Sequence, residues 1–375
     1  MPTPEVLDEA RRVMTICNAC RYCEGHCAVF PAMEMRLEFA RGDLNYLANL
    51  CHDCGACFHH CQYAPPHEFA VDVPRVFAEV RRQTWRDYAW PRFLAGAFER
   101  HGLAAGLVTA ASLALVVLLT CLLVDPATLL ARHTGAGAFY AVIPHQVMVV
   151  GFGAVSLFVL LALAMGFRSF WADTSQSMAP LADRAVIGNA LRDALTLRYL
   201  DGGSGDGCTY PGEAPSQARR WFHHLTFYGF LLCFASTTLA TVCHYALGWQ
   251  APYAWFHPVV VLGTVGGLGL LAGPAGLLWL KAQAARASGA ARRAETDSAF
   301  TVLLLLTSLS GLVLLVLRAT PAMGVLLAVH LGIVLGLFLV LPYSRFVHAV
   351  YRFAALLRYA LERRRTSDVR SVDCK

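Results

Sequence analysis

Two runs of cysteine carry the strongest chemical signal in this chain of 375 residues. Cys17, Cys20, Cys23 and Cys27 are followed by Cys51, Cys54, Cys57 and Cys61, and both runs have intervals of two, two and three residues. The start, MPTPEVLDEARRV, has charge and no apolar stretch behind it. No secretory signal is therefore expected, and the first hundred or so residues are expected in the reducing cytoplasm. Cysteine crowded on short loops there implies metal ligation rather than disulfides. Zinc also takes paired cysteines, usually as two pairs set far apart. A doubled four-cysteine run within 45 residues favours iron–sulfur clusters.

The spacing is that of bacterial two-cluster ferredoxins, where three thiolates of one loop join the fourth of the other. Read in that way, Cys17, Cys20, Cys23 and Cys61 hold one [4Fe–4S] cluster, and Cys51, Cys54, Cys57 and Cys27 hold a second. Pro31 and Pro65 stand four residues beyond the last cysteine of each run instead of next to it, so the chain leaves these loops differently. Gly25, Gly55 and Ala56 are small enough to let backbone N–H groups approach cluster sulfur. Two neighbouring clusters imply electron transfer. His26, His52, His59, His60 and His67 lie close by, but eight cysteines suffice, so these are expected at the surface or behind the ligands. Cys121, Cys208, Cys233, Cys243 and Cys374 have no motif spacing and read as incidental thiols.

The elements that must carry these groups are helices, mostly in lipid. The chain is 57% hydrophobic and only 15% charged, with mean hydropathy +0.49. A soluble chain carries about 25% charged residues, which argues against an ordinary water-soluble enzyme. Apolar runs at about 103–124, 142–167, 224–249, 258–280, 300–317 and 322–341 predict six spans, and no strand pattern competes. The connection 168–220 carries six Arg, 281–293 carries four basic residues and the stretch from 345 onward carries eight. The intervening connections hold one, none and one. Both termini are thus expected in the cytoplasm, and the net charge of +6 reflects topology rather than a nucleic-acid surface.

Histidines fall at both ends of these spans, where ionisable groups mark function. His330 and His348 are 18 residues apart, five turns of one continuous helix, and would share a face about 27 Å apart. In the third span His223 lies about 60° from the face of His244, and His224 about 200° from it. With the third and sixth spans antiparallel, His223 or His224 should meet His348 near the cytoplasm, and His244 should meet His330 near the outer surface. Paired imidazoles on facing helices are how bundles hold b-type haem, here one or two. His145 and His257 compete for the outer site. Arg345 is placed either to pair with a haem propionate or to anchor at the interface, and Pro342 is expected to kink the helix and aim His348 inward.

The expected fold is all-α. A ferredoxin-like domain over 1–100 precedes a six-span cytochrome b bundle over 101–350, with cytoplasmic loops at 168–222 and 281–299 and a basic tail at 351–375. Val73 to Arg100 reads as a helix at the membrane surface. Asp201 to Pro215, DGGSGDGCTYPGEAP, reads as a flexible loop.

The segment VHLGIVLGLFLVLPYSRFVHAV is similar to the last span of the cytochrome b subunit of respiratory nitrate reductases and of heterodisulfide reductases. In that resemblance His330 and His348 fall on haem-ligand positions, while the partner span departs from the nitrate reductase pattern. CNACRYCEGHCAVFPAM, CHDCGACFHHCQYAPPHEFA, IPHQVM, FHHLTFYGFLLCFA, APYAWFHPV and PYSRFVH together resemble the tricarballylate- or citrate-utilisation protein B family over essentially the whole chain. The resemblance implies a multi-pass inner-membrane protein that takes electrons from a partner FAD-dependent tricarballylate dehydrogenase-like flavoprotein and passes them towards quinone. An alternative is a quinone-linked subunit of a heterodisulfide-reductase-like complex. A membrane redox sensor is a rival of another class, but the chain shows no output domain.

Overall fold

The computed structural model of the protein describes residues 4–98, 101–174, 183–203, 205–209, 212, 214–287 and 298–373. Cys374, the basic residues of 288–297 and part of the 201–215 insert lie outside the described residues. Among the described residues the regular elements are helices, with one isolated bridge between Cys208 and Ser216. The amino-terminal part comprises α1 (Pro4–Cys20), α2 (Val29–Glu34), α3 (Arg41–Leu50), α4 (Ala56–His59), α5 (Val73–Tyr88) and α6 (Arg92–Ala97). There follow α7 (His101–Leu123), α8 (Pro126–Leu129), α9 (His145–Thr174), α10 (Arg184–Leu195), α11 (Ala218–Leu247), α12 (Pro258–Ala287), α13 (Ala299–Leu317), α14 (Met323–Val340) and α15 (Val347–Asp373).

Helix α5 shows why the cluster-bearing part holds together. The Asp72 carboxylate caps it by accepting from the Arg75 amide at 3.1 Å, and Pro74 suits the first turn. Val73, Val76, Phe77, Val80, Thr84 and Tyr88 then form one buried stripe at helical spacing, packed on α1 and α3. The expectation of a membrane-surface helix over 73–100 is therefore corrected for α5: its apolar face is already consumed by protein. Exposed apolar surface returns only on α6, where Phe93 is 79% exposed.

The core beneath the cysteine loops is not confined to the first hundred residues. Met14, Phe30, Tyr46 and Phe77 share it with Phe170 and Trp171 from the end of α9, Val186 and Ala190 from α10, and Tyr351, Ala354 and Leu357 from α15. The stretch 351–375, expected as a basic tail, thus begins as a packed helix. Arg36 and Arg358 both stack on the Tyr46 ring, at 4.9 and 4.2 Å from its centroid. Arg358 pairs with Asp43 at 2.7 Å and Glu362 at 2.9 Å, and Arg36 pairs with the same two carboxylates. Charge and aromatic surface therefore fasten α15 to α2 and α3.

Six helices are long and apolar enough to cross a membrane: Gly102–Leu123, His145–Thr174, Ala218–Leu247, Pro258–Ala284, Ala299–Leu317 and Met323–Tyr343. Their number matches the expectation, and the chain is a multi-pass membrane protein. Lipid gives helices little hydrophobic reason to associate, so close backbone approach and interhelical hydrogen bonds matter. Between α14 and α7, a Cβ on Gly332 would lie 2.7 Å from Leu113 Cα, and one on Gly336 would lie 2.8 Å from Thr109 Cα. Ser308 adds a hydrogen bond from α13 to the Gly267 carbonyl of α12 at 2.6 Å.

The sixth span forms over Met323–Tyr343, but its helix does not run on to His348. α14 stops at Val340, a short 3-10 turn covers Leu341–Tyr343, Ser344 is extended at φ −103° and ψ −178°, and α15 starts at Val347. Pro342 lacks the amide hydrogen that would continue the α-helical ladder; Leu341 before it keeps helical geometry at φ −46° and ψ −52°, and the chain leaves the helix at Ser344. The result is a break rather than a kink. His330 and His348 consequently belong to different helices, and the five-turn phase argument does not relate them.

Candidate cofactor sites

The cysteines lie where α1 and α3 run out into loops. Cys17 and Cys20 occupy the last turn of α1, and the chain turns left-handed at Arg21 with φ 55°. Cys51 follows α3, with left-handed Asp53 at φ 54° and Gly55 at φ 82°. Gly55 answers two demands at once, because a Cβ there would also lie 3.0 Å from the Thr209 carbonyl oxygen. Burial pushes the Cys17 thiol up to about 12, with Cys23, Cys61 and Cys20 as its electrostatic neighbours. The Cys27 thiol is pushed well up by burial and then by Cys54 and Cys51; Cys57 is raised likewise beside Cys51, Cys54 and Cys27. One cavity is lined by Cys27, Cys51, Cys54 and Cys57 together with His26 and His52.

The two runs thus interleave: Cys61 is a neighbour of Cys17 and Cys23, and Cys27 of Cys54 and Cys51, with Cys23 a lesser neighbour of both Cys27 and Cys57. Buried thiols raised in this way stay protonated unless cations compensate, so the donor sets suit bound metal. Among the described residues, no three His, Cys, Asp or Glu side chains gather as around a single metal ion. His26 Nε2 and His60 Nδ1, 2.9 Å apart, link the two loops. His67 instead accepts from the Phe69 amide at 3.0 Å. The insert after α10, expected as a flexible loop, has described residues seated on both runs. A Cβ on Gly203 would lie 2.4 Å from the Gly25 carbonyl oxygen, and Cys208 is fully buried beside Cys54.

Histidines gather at two further places. On the side of the cysteine domain, His223 of α11 and His348 of α15 face edge to face, with ring centroids 6.0 Å apart and planes at 84°. His348 Nδ1 contacts the Arg345 carbonyl at 2.5 Å, so its proton is held there and the Nε2 lone pair remains for a ligand. Burial, followed by the positive Arg352, lowers His348 to about 4, which keeps the ring neutral. His223 Nδ1 is buried without a hydrogen-bond partner. His224 packs on Trp221 and Tyr228 instead, which selects His223 from the adjacent pair. Arg345 contributes its backbone carbonyl to this site, a role its residue type does not advertise.

The second cluster of rings joins His244 of α11 to His145 of α9. They stack at 3.8 Å with planes 18° apart, flanked by Tyr140 and Tyr245. His244 Nδ1 is also buried and unpartnered. At this spacing the rings touch, so a metal between them requires them to part. The expected pairing of His244 with His330 is corrected. His330 Nδ1 instead meets Ser310 Oγ of α13 at 2.9 Å. The expected pairing needed α11 and α14 to adjoin, whereas α11 packs chiefly on α12, and α14 on α7 and α13. His257 stacks on Tyr253 at 4.5 Å and accepts from the Val259 amide at 3.3 Å at the start of α12.

Comparison with known proteins agrees with this division. Residues 10–89 match the family model "Citrate utilization protein B Fer4-like domain", and residues 97–368 match "Citrate utilization protein B". The curated Citrate utilization protein B of Escherichia coli is 51% identical over 358 residues, covering 95% of this chain and 93% of that protein. No solved structure matches the chain. Two family matches that together span both halves, and a relative aligned almost end to end, show that this chain belongs to the citrate utilization protein B family.

Proposed function

We propose that this protein is an inner-membrane electron-transfer subunit with both termini in the cytoplasm, passing electrons from a partner FAD flavoprotein that oxidises tricarballylate or a similar tricarboxylate to quinone. Cys17, Cys20, Cys23 and Cys61 hold one [4Fe–4S] cluster; Cys27, Cys51, Cys54 and Cys57 hold the other. His223 and His348 would hold an inner b-type haem; His145 and His244, stacked at 3.8 Å, would hold an outer one only with their rings parted. Bound there, these groups supply a series of one-electron carriers. The chain's own contribution is to bury, orient and insulate them.

The observation that carries the reading is the continuity from the four-cysteine cavity to the inner histidines. His52 follows Cys51 and lines that cavity. Its Nδ1 accepts from Arg352 at 2.7 Å, and Arg352 lies one helical turn beyond His348 on α15. One loop and one helix turn thus join the two kinds of site. A span that served only as an anchor has no use for such an arrangement. Orientation rests on basic residues crowding the connections that share a side with the cysteine domain. The test is to mix the purified protein in lipid with a reduced partner flavoprotein and a quinone. Reoxidation of the flavin that needs this protein and is slowed by His348→Ala supports the reading; reoxidation indifferent to both rejects it.

A further inference from the structure

His52 combines a tautomer dictated by a neighbour with a buried ring. Arg352 donates to His52 Nδ1 at 2.7 Å and to the Cys51 carbonyl at 2.5 Å, with a longer contact to the Asn49 carbonyl at 3.4 Å. A guanidinium only donates, so Nδ1 must accept and the imidazole proton must sit on Nε2. Yet His52 is only 7% exposed, and its Nε2 is buried with no hydrogen-bond partner. A buried N–H left in this way calls for an acceptor. The cavity it lines with Cys27, Cys51, Cys54 and Cys57 is where one is expected. His26, the other histidine in that lining, is already joined to His60.

The surroundings point to an electron-rich acceptor. Arg81 also donates to the Cys51 carbonyl at 3.4 Å, and Arg219 donates to the Asp53 carbonyl. With Arg352, three guanidinium groups thus hold the backbone at Cys51 and Asp53, and positive charge surrounds the loop on the side facing the inner histidines. Such charge and N–H groups favour the more negative, reduced form of whatever the loop binds.

We propose that His52, with its tautomer set by Arg352, donates a hydrogen bond from Nε2 to a sulfur of the redox group held by Cys27, Cys51, Cys54 and Cys57, and raises that group's reduction potential. His52 is then a positioning residue for electron transfer, and the assignment rests on the cluster reading above. Its removal should disfavour reduction about tenfold, which for a one-electron couple is ~59 mV.

The experiment is an EPR-monitored redox titration of the full protein in lipid. His52→Phe should retain both cluster signals and move one potential down by about that amount, leaving the other cluster and the haem where they are. His52→Gln, which keeps an N–H donor, should restore most of the shift. An unshifted cluster potential in a fully loaded His52→Phe protein overturns the proposal, as does a shift confined to the haem. Absence of both cluster signals from the unaltered protein would instead overturn the cluster reading. Should His52→Phe fail to load, pulsed EPR on His26→Gln protein labelled with 15N-histidine decides. There His52 is the one histidine left in the cavity lining, and a weakly coupled imidazole nitrogen at the reduced cluster supports the proposal, whereas none overturns it.

Discussion

Helix α15 carries His348 and Arg352, so the inner site depends on how firmly that helix is held to the cysteine domain. Arg358→Met tests the attachment. The substitution keeps most of the apolar stem but removes ion pairs to Asp43 at 2.7 Å and Glu362 at 2.9 Å, the stacking at 4.2 Å on Tyr46, and a hydrogen bond to the Thr174 carbonyl. The three charged side chains are only 14–21% exposed, so the pairs are worth more than surface ones. Leaving a buried charge with no partner costs about 3–5 kcal/mol. Here Asp43 and Glu362 both keep Arg36, which lowers the loss to about 2 kcal/mol; lost stacking adds about 0.5 kcal/mol. Local opening of α15 should then be easier by about 2.5 kcal/mol, or about 60-fold. Hydrogen exchange followed by mass spectrometry should show that acceleration across residues 350–360, with α11 and α12 unchanged. Exchange within about threefold of the unaltered protein would refute the view that this network holds α15.

Replacing either His223 or His348 by Ala should remove the same b-type absorbance while both cluster signals persist; His330→Ala should leave that absorbance in place, as read by pyridine haemochrome. Cys27→Ser and Cys54→Ser should lose the same cluster, and Cys61→Ser should lose the one that Cys17→Ser loses, checked by EPR and iron content. Acid should loosen α15. Burial alone would raise the Asp43 carboxyl, but Arg36 and Arg358 outweigh it and hold it below its ordinary 3.8. Its contribution is therefore complete above pH ~4 and lost as pH falls through the depressed value, and exchange of α15 should accelerate only in that lower range.

Much of this architecture is legible in sequence because its signals are local. The six apolar runs and the two cysteine runs need no tertiary information, and the structure keeps all of them. What the sequence misplaces depends on contacts between distant segments. Amphipathic α5 presents the same pattern whether its apolar face meets lipid or protein, and only the α1 and α3 surfaces decide. The stretch after 345 reads as basic because of its arginines, yet Tyr351, Ala354 and Leu357 turn inward between them. The His244–His330 pairing fails because helical phase does not say which helices adjoin: His330 meets Ser310 of α13, and α11 packs chiefly on α12. His145 was visible as an outer competitor, but its contact with His244 depends on how α9 packs. The Arg352–His52 contact joins residues 300 positions apart, and no spacing rule reaches it.

The central claim is that one chain holds two clusters and b-type haem in adjoining sites. It is tested most directly by measuring non-haem iron, acid-labile sulfide, zinc and haem on one anaerobically purified sample, with EPR on its reduced form. The account predicts about eight non-haem iron and eight sulfide per chain, two interacting cluster signals, a b-type spectrum and no stoichiometric zinc. Zinc in the cysteine sites, or full iron with no b-type haem, would contradict it.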